Sequence, residues 1–233
     1  MLLTGATGVI GQPLARRLGA QHDLVTVSRS APSSHGRWIQ GSFDDRTVLA
    51  SLGNEGIDTV IHLAAQFGSD VDACLEVNAL GTLRMIQWLA DRGTRRFILA
   101  SSIAVVGCLS PDFQPLEVPI PDDHPSLATD AYGFSKAMME QAAEFAVRCS
   151  PELEVVLYRI GVVLDHAPEP VEVADVAAPY AALSTVPLDL VVDAFVRAAE
   201  APTSPGLRRM NLVADPRANL FSTDRLQRFL GAA

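Results

Sequence analysis

Tyr132 and Lys136 stand four residues apart in a stretch of helical composition, so their side chains leave one face of a helix and can meet at one site. A phenol titrates near about 10 unless its surroundings intervene, and a neighbouring positive charge brings its proton exchange toward neutrality. The Lys136 ammonium is the group placed to supply that charge. Ser102 follows a β-rich run, where its hydroxyl could polarise a carbonyl oxygen while the phenol gives or takes a proton. Taken singly, each has an ordinary explanation: a core tyrosine, a lysine whose stem lies along apolar surface, a serine at a strand end.

A second group of residues points to a phosphate-bearing ligand. Thr4-Gly5-Ala6-Thr7-Gly8-Val9-Ile10-Gly11 directly follows the apolar pair Leu2-Leu3 and opens a helical stretch. Three glycines at GxxGxxG spacing suit a strand-to-helix turn approaching a dinucleotide pyrophosphate. Gly5 and Gly8 allow the tight turn and close phosphate approach, and Gly11 allows the helix to pack closely on the strand. The bland alternative is a tight turn with no ligand. At the end of the second predicted strand, Ser28-Arg29 stands where an acidic residue would bind the ribose of NAD and a cation would accept the phosphate of NADP, so Arg29 favours NADP(H), with NAD(H) as the alternative.

The elements that must hold these residues follow from short apolar runs alternating with longer helical stretches. Strands are expected at 2–3, 24–28, 37–40, 59–63, 97–101, 154–158 and 209–213. Helices are expected at 13–18, 46–52, 70–91, 130–149, 188–201 and 223–230. Thr129 or Asp130 can cap the helix that carries Tyr132, and Pro151 follows its end. Five prolines between Ser110 and Pro125 predict a surface loop, and a second proline-rich interruption runs from Asp165 to Pro187. The expected fold is α/β, a Rossmann-like doubly wound parallel sheet. Residues 1–165 form its dinucleotide-binding part, and 166–233 form a short substrate-covering lobe with closing elements rather than an independent domain.

With Ser102 and the YxxxK pair of Tyr132 and Lys136, the glycine turn resembles the extended branch of the short-chain dehydrogenase/reductase superfamily. The match continues in order through His62-Leu63-Ala64-Ala65, Asn78-Ala79-Leu80-Gly81-Thr82, Ser101 to Gly107 and Tyr132-Gly133-Phe134-Ser135-Lys136. The resemblance covers about residues 1 to 165. It implies a cofactor site formed by Gly5, Thr7, Gly8, Val9, Ile10, Gly11, Ser28, Arg29, Leu63, Ala64 and Ala65, with Ser42 and Phe43 on the adenine side. Family members commonly have an aspartate where Ser42 stands. It also implies that Lys136 hydrogen-bonds the nicotinamide ribose and that Asn78 holds a helix bend or a water beside Lys136.

Within that branch, dehydratases place an acidic pair after the serine, where this chain has Ile103 and Ala104, and epimerases often carry RxxN where it has Arg159-Ile160-Gly161-Val162. The resemblance therefore implies an NADPH-dependent ketoreductase acting on an NDP-4-keto-deoxysugar or another secondary-metabolite ketone. A sugar-nucleotide epimerase, a non-redox cyclase or isomerase, and a non-catalytic dinucleotide-sensing protein are the alternatives. A homodimer through 70–91 and 130–149 is the arrangement the family implies.

Composition narrows the partners. Among 233 residues, 18 basic and 27 acidic side chains leave a net charge of −9, which disfavours a broad nucleic-acid surface. With 48% hydrophobic and 19% charged residues the chain is expected to be globular, not disordered. Cys74, Cys108 and Cys149 are too few and too scattered for a disulfide scaffold, and the five histidines lack metal-ligand spacing. With no membrane-spanning run and no room for a signal peptide before Thr4, a cytoplasmic protein is expected.

Overall fold

The computed structural model describes residues 1–32, 36–53, 55–165, 184–214 and 220–231. Among these residues seven strands make up the main sheet, the inner ones buried on both faces and so reading as largely apolar runs rather than alternating, the edge run at 37–40 mostly exposed. They are β1 (Leu2–Thr4), β2 (Val25–Ser28), β3 (Arg37–Gln40), β4 (Thr59–His62), β5 (Arg96–Ser102), β6 (Glu154–Ile160) and β9 (Gly206–Leu212). All pair in parallel in the order β3-β2-β1-β4-β5-β6-β9. The order reverses between β1 and β4, and a ligand crevice is expected beyond the carboxyl ends of the strands there.

Alternate residues of each strand feed separate cores. Leu2, Val60, Phe97, Leu99 and Leu157 pack toward α2 (Arg46–Leu52), α4 (Thr82–Ala90) and α5 (Ala131–Cys149). Leu3, Ile61, Ile98, Val156 and Tyr158 pack toward α1 (Gly11–Gly19) and α6 (Leu188–Glu200), and Leu226 of α7 (Asp224–Gly231) joins them. Because α6 and α7 complete the core begun by α1, and β9 pairs with β6 over seven residues, the last quarter of the chain closes the same sheet.

Helix α5 begins where the sequence points, with Asp130 capping it through the Gly133 amide at 2.8 Å. The expected single helix over 70–91 is interrupted. It runs as α3 (Val71–Cys74), a π-helical turn over Leu75–Gly81 and then α4. A Cβ on Gly81 would come within 3.0 Å of the Asp44 side chain, so this turn lies tight against the segment after β3.

Two expectations need correction. The 110–125 loop is not wholly superficial: Phe113, Ile120, Asp122 and His124 are buried. Its backbone is tied to the chain end by Ile120 N–H donating to the Leu220 carbonyl at 2.6 Å and Ser222 N–H donating to the Ile120 carbonyl at 2.9 Å. The prolines stop helix and strand formation, but apolar and charged side chains between them still find interior partners. Second, β7 (Val162–Leu164) and β8 (Thr185–Pro187) form a separate two-stranded parallel sheet at the edges of the 165–187 interruption. Residues 166–183, in the expected substrate-covering segment, lie outside the described residues.

Two glycines of the first turn are required for different reasons. Gly5 has φ +73°, a conformation that L side chains rarely adopt. Gly11 sits so close beneath the turn that a Cβ there would lie 2.1 Å from the Gly5 carbonyl oxygen. Gly8 has no such conflict, its nearest neighbour being 3.4 Å away. Gly11→Ala should therefore lower unfolding free energy by about 1–3 kcal/mol in urea titrations, as overpacking does, while Gly8→Ala leaves it nearly unchanged. Equal stability of the two variants would remove the packing role from Gly11.

Candidate active site

The carboxyl ends of β1, β2 and β4 border a cleft of about 270 Å³ lined by Gly5, Thr7, Gly8, Ser28, Arg29 and Ala64, among others. A second cavity, of about 380 Å³, opens between the ends of β5 and β6 and the start of α5, and Ser102, Tyr132 and Lys136 lie on its wall. Leu63, Ala65 and Phe67 line both, so the two are adjacent. Two clusters far apart in sequence are thus brought to one end of the sheet.

Ser102 ends β5 and caps a short 3-10 turn, its hydroxyl accepting from the Ala104 amide at 3.1 Å. The same side chain shares the cavity wall with the Tyr132 phenol and acts to lower that group's pKa. Lys136 lies one helical turn beyond Tyr132 and is only 2% exposed. Its ammonium donates to the Ala100 carbonyl at 2.7 Å and sits 5.9 Å from the Tyr132 ring centroid. It is therefore an interior group, not a lysine lying along the surface.

The electrostatics differ from the sequence expectation. Burial pushes the Tyr132 phenol up to about 12, and the nearby Ser102 hydroxyl opposes this only in part. Lys136 is itself brought down to about 8 by burial, with Glu140 acting in the opposite direction. In this structure the lysine does not draw the phenol toward neutrality, because desolvation dominates. The phenol holds its proton at neutral pH and is a donor.

Glu140, one turn further along α5, receives hydrogen bonds from three strands. Ser101 donates at 2.6 Å, Arg159 at 3.0 and 2.8 Å, and Arg209 at 2.8 Å. These partners hold its carboxyl below the ordinary carboxylate value although burial acts the other way. Arg159 also donates to the His124 carbonyl at 2.9 Å, so its guanidinium is engaged inside the fold.

Asn78, in the π-helical turn, accepts from the Gln66 amide and donates to the Gln66 carbonyl, both at 2.8 Å, and donates to Ser135 Oγ at 2.9 Å. It ties the loop after β4 to α5 beside Lys136 rather than bonding Lys136. A π-helical turn at this position is the helix bend expected around it.

The other expected cofactor residues separate into groups. Leu63, Ala64, Ala65 and Ser42 line the cleft with the glycines, Ile10 lines the second cavity instead, and Gly11 is buried beneath the turn. Val9 is exposed and lines neither cavity. Ser28 is engaged, its hydroxyl donating to the Ser30 carbonyl at 2.7 Å and accepting from Trp38 Nε1 at 3.0 Å. The Arg29 guanidinium has no hydrogen bond or ion pair among the described residues. Ser42 donates to the Asp44 carboxylate, while Phe43 also lines the cleft, its largely buried ring packed edge-on against His62 at 4.4 Å.

Sequence reasoning missed Gln66 and Phe67. Phe67 is 66% exposed yet stacks on the Tyr132 ring with centroids 4.5 Å apart. The only signal was position, a few residues past the HLAA segment that ends β4. His62 was seen as part of that motif but not as a tether: its ring shares hydrogen bonds with Thr4 at 2.7 Å and Thr82 at 3.0 Å.

The model of the NAD dependent epimerase/dehydratase family matches residues 1–164. The chain belongs to that family. The resemblance to extended short-chain dehydrogenases/reductases is thereby borne out. The chain is 32% identical over 150 residues to 3beta-hydroxysteroid dehydrogenase/Delta(5)-Delta(4) isomerase 1 of Caenorhabditis elegans, covering 60% of this chain and 32% of that protein. To the UDP-glucose 4-epimerase of Streptomyces lividans it is 27% identical over 189 residues, covering 72% and 56%. Matches to these family relatives thus span from a third to just over half of their lengths. The structure of UDP-glucose 4-epimerase from Bifidobacterium longum in complex with NAD+ and UDP matches with TM-score 0.75 and 20% identity, over 91% of this chain and 77% of that one. At that identity the likeness establishes the fold.

The family's HLAA segment also carries a pH dependence. Burial, reinforced by the charge of Lys136, brings His62 down from an ordinary 6.5 to about 3. Because the unfolded chain protonates first, this stability is fully present above about 6.5 and is lost as pH falls toward 3, with about 2 kcal/mol gone by pH 5. His62→Gln removes the titrating ring, so the difference in unfolding free energy between parent and variant should narrow or reverse by that amount between pH 7 and pH 5. Parallel profiles would show that His62 does not set this dependence.

Proposed function

We propose that the chain binds NADP(H) in the glycine-lined cleft and reduces a ketone in the adjoining cavity. The observation that carries this reading is the convergence of Ser102, Tyr132 and buried Lys136 on the wall of a cavity that adjoins the cleft. The cleft suits a dinucleotide: Gly5 and Gly8 line it without side chains that would block close phosphate approach, and Arg29, which has no partner among the described residues, lines it as well. Family membership and neighbours solved with NAD support a nicotinamide dinucleotide, and Arg29 supports the phosphorylated form.

When bound, the dinucleotide supplies the hydride. Ser102 would hold the substrate oxygen by a hydrogen bond that strengthens as negative charge gathers there. Tyr132, protonated because it is buried, would pass its proton to that oxygen, giving the alcohol. Lys136, held at the Ala100 carbonyl by one N–H, would hydrogen-bond the ribose with another. Gln66 and Ser135, linked through Asn78, keep the loop after β4 in register with α5.

The relatives named as epimerases favour one alternative, in which the product has the mass of the substrate. Mass spectrometry separates the two, since ketone reduction adds two hydrogens. The homodimer belongs to the same proposal, supported by exposed Leu80, Phe134 and Phe145 on or beside the paired helices. The last residues from 166 are proposed as a covering and closing segment without a core of its own, consistent with α6 and β9 completing the main sheet.

Tyr132→Phe should retain dinucleotide binding but lose roughly 10²-fold or more in turnover, measured by NADPH oxidation; near-normal turnover would remove the phenol from the reaction. Arg29→Asp should weaken NADPH far more than NADH in fluorescence titrations. Equal losses would defeat the phosphate assignment.

A further inference from the structure

The cavity beside Tyr132 is apolar wherever the reacting groups are not. Ile10, Phe67, Leu109, Ile160, Val162 and Val163 supply much of its wall. Lys136 is its only charged lining residue among those described, and its ammonium already donates to the Ala100 carbonyl and is the group proposed above for the ribose. Its mouth is apolar too, since Phe67, Leu109 and Val162 are exposed hydrophobic side chains. Contiguous exposed apolar surface at the rim of a pocket marks a ligand of matching character.

A nucleotide diphosphate needs more than this wall offers. Its charges must be met by guanidinium or ammonium groups or by a cluster of N–H donors once water is removed. Between Arg96 and Arg197 the sequence contains only three lysines or arginines: Lys136, Arg148 and Arg159. Arg148 lies at the end of α5, 3.6 Å from Glu144. Arg159 belongs to β6, whose last residue lines the cavity, but its guanidinium turns inward to Glu140 and the His124 carbonyl.

We infer that the cavity takes an uncharged, largely apolar carbonyl compound in preference to a nucleotide diphosphate sugar. This rests on the redox reading above and narrows its substrate. The ketone oxygen would meet Ser102 and Tyr132, while the carbon skeleton would lie against Ile160, Val163 and Leu109 and displace water from them.

Calorimetric titration of the full chain, with and without NADP+, which cannot reduce the ketone, tests the inference using a series of 4-alkylcyclohexanones and UDP-glucose. Ketone affinity should rise about fourfold for each added methylene, the factor expected for burying one. UDP-glucose should neither bind more tightly than the larger ketones nor displace them. Val162→Asp should weaken ketone binding by about tenfold or more, because it sets a carboxylate against the skeleton, while NADP+ affinity is retained. Leu109→Asp carries the same expectation should the first variant fail to fold. Ketone affinity that is flat along the series overturns the inference. So does tighter binding of UDP-glucose. Failure of NADP+ to bind would instead sink the redox reading, while the order of ketone and UDP-glucose affinities still decides the chemistry of the cavity.

Discussion

A single buried carboxylate positions α5 over the sheet. Glu140 accepts hydrogen bonds from Ser101 on β5, Arg159 on β6 and Arg209 on β9, so one side chain on the helix is tied to three adjacent strands. Lys136 and Tyr132 stand one and two turns before it on the same helix. Rotating or sliding α5 would separate Tyr132 from Ser102 only by also breaking this cluster. Removing one partner of such a buried pair typically costs about 3–5 kcal/mol, because the other charge is left without compensation. The cluster is thus better understood as a constraint on register than as a source of net stability.

Burial then determines what the positioned groups can do. Lys136 and Tyr132 are both displaced toward their neutral forms, the first downward and the second upward, because charge is disfavoured in the same enclosed region. His62 follows the same rule from beneath the cleft, kept neutral between two threonine hydroxyls. The site is therefore arranged around a phenol that keeps its proton, which suits donation to a forming alkoxide. The apolar wall belongs to the same design, since an enclosure without competing water strengthens the few hydrogen bonds made in it.

Much of this architecture could be read along the chain. The 37–40 strand and the 46–52 helix have the expected bounds, and Asp130 caps α5 as its position suggested. Such elements were legible because their signals are local: a cap, an apolar run, a turn residue. The π-helical turn was not among these: only the resemblance pointed to a bend near Asn78, and the bend itself arises where Gly81 meets the segment after β3. Nor was the anchored 110–125 loop, whose prolines report the absence of regular structure but not the interior partners of Ile120, Asp122 and His124. Phe67 escaped notice for a similar reason: an aromatic residue in a loop has no periodicity to reveal that it stacks on a tyrosine sixty-five residues later.

By itself the sequence determined the parallel α/β order of the chain, the glycine turn, the helical facing of Tyr132 and Lys136 and the strand-end place of Ser102. All of these depend on spacings of a few residues, within which backbone geometry is nearly fixed. Tertiary structure alone decided the protonation of the phenol, the burial of the lysine, the internal use of Arg159 and the apolar wall assembled from Ile10, Leu109, Ile160 and Val163. Desolvation and cavity shape depend on which distant segments exclude water from the same volume, and no local spacing records that.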